Sequence, residues 1–319
     1  QPFDAAREEL VGDAVPVVDR VGAMSNLACV AISANGVLAY RSDNTAERAQ
    51  FVWFDRSGKV MSSVTEPGRY DSFALSLDGT RAIVSRFDDS GNPDLWAVEL
   101  GKHLSTKFTF DRAIDVNPVL SPDGNRVVFA SSREGAMDLY WKASDGASNE
   151  ELLLKSSEGK RPLDWSRDGR NLLYAVIDPK TGDDLWFLPL TESERKPTRF
   201  LATEFQENQG RFSPDGRFVA YTSNESGQDE IYVRPFPGGG GKWQISNGGG
   251  DRPLWRRDGK ELFYVSAGRV MSVEVATSPS FQSSASKQLF VPASVLIGYD
   301  VSADGKQFQF QVQSPPTLL

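Results

Sequence analysis

Apolar residues along this chain gather in short runs set between polar turns. Examples are Val127-Val128-Phe129-Ala130, Leu172-Leu173-Tyr174-Ala175-Val176-Ile177 and Phe218-Val219-Ala220-Tyr221. Runs of this length, rich in β-branched and aromatic residues and bounded by Ser, Pro, Asp and Gly, predict β-strands rather than helices. A four-residue turn precedes each. It reads Ser33-Ala34-Asn35-Gly36, Ser76-Leu77-Asp78-Gly79, Ser121-Pro122-Asp123-Gly124, Ser166-Arg167-Asp168-Gly169, Ser213-Pro214-Asp215-Gly216, Arg256-Arg257-Asp258-Gly259 and Ser302-Ala303-Asp304-Gly305. In such a turn Asp accepts from nearby backbone N–H groups and Gly takes the positive φ that other residues resist. The glycines follow one another at 43, 45, 45, 47, 43 and 46 residues. A fixed period of this size marks a repeat architecture.

The interior of each period supplies the rest of the unit. A polar loop follows the first apolar run, then a strand carrying an aromatic 16 or 17 residues beyond the Gly: Trp53, Trp96, Tyr140, Trp186 and Tyr232, with Met271 near that place in the sixth copy. A further short strand, such as Lys107-Phe108-Thr109-Phe110 or Trp243-Gln244-Ile245-Ser246, precedes the next turn. Four short strands per repeat predict a propeller blade, and a recurring Trp or Tyr there predicts packing between blades. The pattern therefore predicts an all-β, seven-bladed β-propeller of four-stranded antiparallel blades, with six blades as the alternative. One domain is expected over 1–319. Because 14 residues follow Gly305, and Phe3 falls 17 residues beyond it if counting continues from Leu319 to Gln1, the closing blade is expected to join 296–313 to 1–20. Sharing of this kind removes an exposed sheet edge.

Charge and composition narrow the function more than the fold. The net charge of −8 opposes nucleic acid as the ligand, since phosphate contacts need a basic surface. No apolar run approaches the roughly 20 residues that span a bilayer, so no membrane insertion is expected of this segment. It shows no signal peptide or other targeting sequence, and its start at Gln1 reads as a piece of something longer. A single cysteine, Cys29, allows no internal disulfide or cysteine zinc site and reads as a small core residue. The one histidine, His103, lies in Gly101-Lys102-His103-Leu104, a predicted hairpin far from any channel. That placement opposes a Ser-His-Asp triad, and no Gly-x-Ser-x-Gly elbow is present. The glycine runs at 238–241 and 248–250 lead into no helix and read as strand connections, not phosphate cradles. The run Asp88-x-Ser90-x-Asn92-x-Asp94 alternates oxygen ligands as calcium loops do, but reads as a solvated hairpin. Neither a cofactor nor a catalytic residue is expected.

The Ser-Pro-Asp-Gly turns, followed by Val-Val-Phe-Ala-Ser and then Asp-Leu-Tyr or Asp-Leu-Trp, resemble the WD40-like (PD40) repeats of the TolB propeller type over nearly the whole chain. Three longer stretches, 212–227, 231–237 and 255–264, are similar to the C-terminal propeller of bacterial (acidobacterial) transmembrane serine/threonine protein kinases. That resemblance implies an extracytoplasmic, periplasmic-side sensor domain. The kinase itself is not in this sequence, which lacks a Gly-rich loop before a strand lysine, a His-Arg-Asp loop and an Asp-Phe-Gly. The turns depart from the usual pattern at Asn35, Arg256 and Ala303.

In a propeller the loops between second and third strands open on the same face as the segments leading into each inner strand. That face gathers mixed charge around the channel mouth. By strand position, the candidate ligand-binding residues are Tyr70, Asn117, Arg161, Asp164, Gln209, Arg211, Arg252 and Asp300. The function expected is non-catalytic binding of a protein, peptide or polar small ligand at the channel mouth, as the sensor domain of a kinase-like receptor. The alternatives are a TolB-like periplasmic interaction scaffold and, after it, a propeller lyase or hydrolase.

Overall fold

The computed structural model describes residues 48–102, 104–191, 195–292, 296–302 and 304–313, together with the backbone of six short strands within 3–40. The chain divides into two compact units, Gln1–Arg48 and Ala49–Leu319. In the first, three hairpins pair Phe3–Asp4 with Glu9–Leu10, Ala23–Met24 with Leu27–Ala28, and Val30–Ile32 with Leu38–Tyr40. Cys29 and His103 lie outside the described residues. No helix of the described residues is long and apolar enough to cross a membrane.

The second unit is a propeller of six antiparallel blades. Their inner strands are Tyr70–Leu75, Asp115–Leu120, Gly159–Trp165, Glu207–Phe212, Asp251–Trp255 and Leu296–Val301. The expected count of seven is thus corrected to six. The sequence carries seven such turns, but the described residues form only six pairs of outer strands. Counting turns assigns one pair to both the first and the last turn.

The last blade shows how the pair is shared. Leu296–Val301 pairs with Gln307–Gln313, which pairs with Ala49–Asp55, which pairs with Val60–Ser63. The two ends of the propeller unit do meet in one sheet, with the C-terminal strands inside. The outer strands, however, come from 49–63 and not from 1–20. Trp53 therefore occupies the aromatic position of the closing blade, where the sequence reading had placed Phe3.

The turns hold their shape through a closed circuit of bonds. Ser76 Oγ donates to Asp78 Oδ1 at 2.6 Å, Thr80 N donates to the same oxygen at 3.0 Å, and Arg81 N donates back to Ser76 Oγ at 2.9 Å. Gly79 takes a φ of +69°, a conformation glycine adopts without steric cost. The Ser hydroxyl bond to Thr80's neighbour Asp78, with the Thr80 donors, holds that carboxyl at about 2. The same circuit recurs at Ser121, Ser166, Ser213 and Ser302. In the fifth blade the Arg256 guanidinium grips Asp258 with two 2.7 Å bonds instead, so the departure from serine keeps the turn.

Between blades the core is apolar and aromatic. Tyr140 shares a buried cluster with Ile83 and Leu95 of the preceding blade and Tyr232 one with Leu163 and Leu185, while Trp186 packs against the cluster that holds Val128 and Leu139. Trp53 and Trp96 share one cluster across the junction of the last and first blades. The recurring aromatics therefore join blade to blade, as their period suggests.

Candidate functional site

The six inner strands enclose a cavity of about 760 Å³. One end, the loop side, is formed where the inner strands begin. The other, the turn side, is formed by the Ser-x-Asp-Gly turns. At the loop side the inner strands slip in register against their neighbours, between Val116 and Val119, Asn208 and Arg211, and Asp251 and Leu254. Each slip is a β-bulge that bends the strand and re-aims a side chain.

Within those bulges Asn117, Gln209 and Arg252 have φ of +53°, +53° and +54°. A non-glycine residue in this left-handed region costs about 1–2 kcal/mol. Bonds between equivalent positions of blades offset that cost. Asn117 N donates to Ser72 Oγ at 2.9 Å, 45 residues back, and Arg252 N donates to Gln209 Oε1 at 2.7 Å, 43 residues back. Thr222 Oγ1 also donates to Gln209 Oε1 at 2.9 Å. In the third blade the slip falls between Pro162 and Asp164, and proline has no N–H to continue the series.

The charged groups beside these bulges differ in how far they are engaged. Arg161 is ion-paired with Asp183, and Arg252 Nη1 with Asp251 Oδ2 at 2.9 Å. Near the ends of their inner strands Arg211 donates to the Leu163 carbonyl, while Asp164 Oδ2 accepts from Phe212 N at 2.7 Å. Burial pushes the Asp164 carboxyl up. Arg211 opposes that shift, and the charge of Asp300 adds to it. Burial likewise raises Asp300, whose Oδ1 accepts from Val301 N at 2.7 Å. Tyr299, buried against this group, donates its hydroxyl to the Arg252 carbonyl at 2.9 Å. The buried Oδ1 of Asn208 has no hydrogen-bond partner among the described residues.

Seven of the eight candidate residues thus border one cavity. Tyr70 does not. Its hydroxyl donates to the Glu66 carbonyl at 3.1 Å and its ring meets Phe51 at 5.0 Å between centroids, which places it in the packing between blades. Sequence reasoning missed Ser72, Arg167 and Arg257, and it placed Asn208 on the channel face without choosing it as a candidate; all four line the cavity. Arg167 and Arg257 were legible in principle. The second turn residue faces the channel, and these two are charged where Leu77, Pro122 and Pro214 are not. No group of three His, Cys, Asp or Glu among the described residues converges to hold a metal. Asp88 accepts from Ser90 N and Oγ and from Asn92 N, closing its own hairpin. What the cavity offers is a set of fixed charges and amide groups suited to orienting a polar ligand.

No family model matches the chain. Over 155 residues it is 28% identical to the Tol-Pal system protein TolB of Helicobacter pylori (strain J99), which covers 48% of this chain and 36% of that protein. A 120-residue stretch is 32% identical to the uncharacterized peptidase YuxL of Bacillus subtilis, covering 36% of this chain and 17% of that one. Among solved structures, the putative TolB from Agrobacterium tumefaciens is similar with a TM-score of 0.67 at 19% identity, covering 85% of this chain and 99% of that chain. TolB from Acinetobacter baumannii is similar at 0.57 and 14%, covering 85% and 66%. The chain is a TolB-like β-propeller with TolB proteins among its sequence relatives, and its match spans about a third of the length of the curated TolB proteins.

Proposed function

We propose that this propeller is a non-catalytic, TolB-like interaction scaffold that takes a polar segment of a partner protein into the loop-side mouth of its channel. One observation carries the reading. Asn117, Gln209 and Arg252 hold the same strained conformation at equivalent places on three inner strands, all bordering one cavity. Backbone strain of this kind clusters where a ligand must be met in a fixed geometry. The unpartnered oxygen of Asn208 supplies an acceptor for a ligand N–H, and the paired arginines at the rim set its orientation. The resemblance of 212–227, 231–237 and 255–264 to kinase-associated propellers supports an extracytoplasmic setting as the sensor or interaction module of a receptor.

The test is selection of binding peptides against the full chain, followed by calorimetry with the selected peptide. A variant carrying Asn117→Ala, Asp164→Ala, Gln209→Ala and Arg252→Ala is expected to bind at least about tenfold more weakly, the loss of one or two charge-assisted bonds. Unchanged affinity in a variant with an unchanged melting temperature rejects this face. A full-length gene product with a kinase and a membrane helix ahead of the propeller separates the receptor setting from a free scaffold.

A further inference from the structure

We propose that the turn-side mouth of the channel binds the carboxylate of an acidic peptide between Arg167 and Arg257. This rests on the reading of the channel as a peptide-binding surface and adds the chemistry of the group it takes.

Arg167 and Arg257 occupy the second position of the turns in the third and fifth blades, on either side of Pro214 in the fourth. Both border the channel cavity, and neither makes a hydrogen bond or ion pair with another described residue. The carboxylates beside them are already engaged. Asp258 is gripped by Arg256 through two bonds, and Asp168 accepts from Ser166 Oγ at 2.6 Å and Arg170 N at 3.0 Å. Pro214 brings neither an N–H nor a charge. Two guanidinium groups therefore face one opening, and no carboxylate of the described residues forms an ion pair with either, although the charge of Asp164 reaches Arg167.

The blades that carry them share a second feature. Trp165-Ser166-Arg167-Asp168-Gly169 and Trp255-Arg256-Arg257-Asp258-Gly259 both place a tryptophan two residues before the arginine, where the other described inner strands have Leu75, Leu120, Phe212 and Val301. Both indoles line the cavity and both are anchored, Trp165 Nε1 to the Gly169 carbonyl at 3.1 Å and Trp255 Nε1 to the Arg211 carbonyl at 3.1 Å. The arginines thus stand on rigid walls, which lowers the ordering cost of binding. Burial and the nearby charge of Arg257 both lower the pKa of Arg167, and the more weakly acting charge of Asp164 opposes them, a sign that the two cations are close enough to repel. A carboxylate placed between them relieves that repulsion and accepts from both planar forks.

Calorimetry on the full chain tests this with three short peptides: one amidated and bearing two glutamates, one neutral with a free C-terminal carboxylate, and one neutral and amidated. Binding of the first identifies a side-chain carboxylate, binding of the second a chain terminus, and the third should not bind. Arg167→Gln with Arg257→Gln should weaken the bound peptide by at least about tenfold, and Arg→Lys at both positions should restore part of the loss. Arg170→Gln, outside the cavity, should change nothing. Retained affinity in the double glutamine variant, equal binding of the neutral amidated peptide, or no binding by any peptide overturns the proposal. If the glutamine pair has no effect while alanine at Asn117 and Gln209 abolishes binding, the carboxylate site fails and the channel reading stands. If neither set matters, both fail.

Discussion

Removing the outer half of the closing blade should unfold the propeller, whereas removing everything before it should not. A chain beginning at Ala49 retains every strand of the six blades, and one beginning at Thr65 loses Ala49–Asp55 and Val60–Ser63. The second truncation strips the seven-residue register that joins Gln307–Gln313 to Ala49–Asp55. It also removes Phe51, Val52, Phe54 and Val64, all buried. At about 1.5–3 kcal/mol per buried side chain, the four contribute about 6–12 kcal/mol. That matches the whole net stability of an ordinary domain, about 5–15 kcal/mol, and leaves the Gln307–Gln313 edge unpaired as a template for aggregation. Thermal melts followed by circular dichroism, with urea titration as a check, compare the three chains. The 49–319 chain should retain the propeller transition of the full chain, and the 65–319 chain should show no cooperative transition or should precipitate. A 65–319 chain melting within a few degrees of 49–319 refutes the closure by 49–63. A sharp loss on removing residues 1–20 alone restores the closure first expected from the sequence.

Two further perturbations probe buried charge. Lys160 Nζ meets Asp138 Oδ1 at 2.7 Å with the side chains 2% and 1% exposed, so Asp138→Ala leaves an unpaired buried ammonium and should cost about 3–5 kcal/mol in urea denaturation; a loss under 1 kcal/mol refutes the pair's burial. Burial raises the Asp300 carboxyl, so its stabilising share is complete below the ordinary aspartate range of about 4 and is lost as pH rises through the raised folded value. Asp300→Asn should accordingly raise the melting temperature at pH 7 and leave it unchanged near pH 3, and equal shifts at both pH values refute the assignment.

The blade was legible because its signals are local. The Ser-x-Asp-Gly circuit needs only residues within five positions of one another, and the aromatic of the third strand recurs at a fixed distance. Blade number was not local. Whether Ala49–Asp55 pairs with a hairpin before it or with Gln307–Gln313 depends on which strand reaches its edge, and both candidates carry the same turn. The channel residues divide along the same line. Asn117, Gln209 and Arg252 were found because inner strands begin at predictable places. Their positive φ was not, since it arises from a register slip against the second strand, which no pattern of apolar residues records. Tyr70 sits one residue before the cavity-lining Asp71, and that single position turns it into the packing against Phe51. Arg167 and Arg257 were passed over because the turn was read only as structure, although its second residue faces the channel.

Hydrogen exchange of the full chain, free and saturated with a selected peptide, tests most directly whether the channel is the recognition surface. Protection should fall on the inner strands Asp115–Leu120, Glu207–Phe212 and Asp251–Trp255, with little change at the outer strands Leu104–Lys107, Glu151–Leu154 and Thr198–Leu201. Protection confined to those outer strands, with the inner strands exchanging as in the free protein, contradicts recognition in the channel.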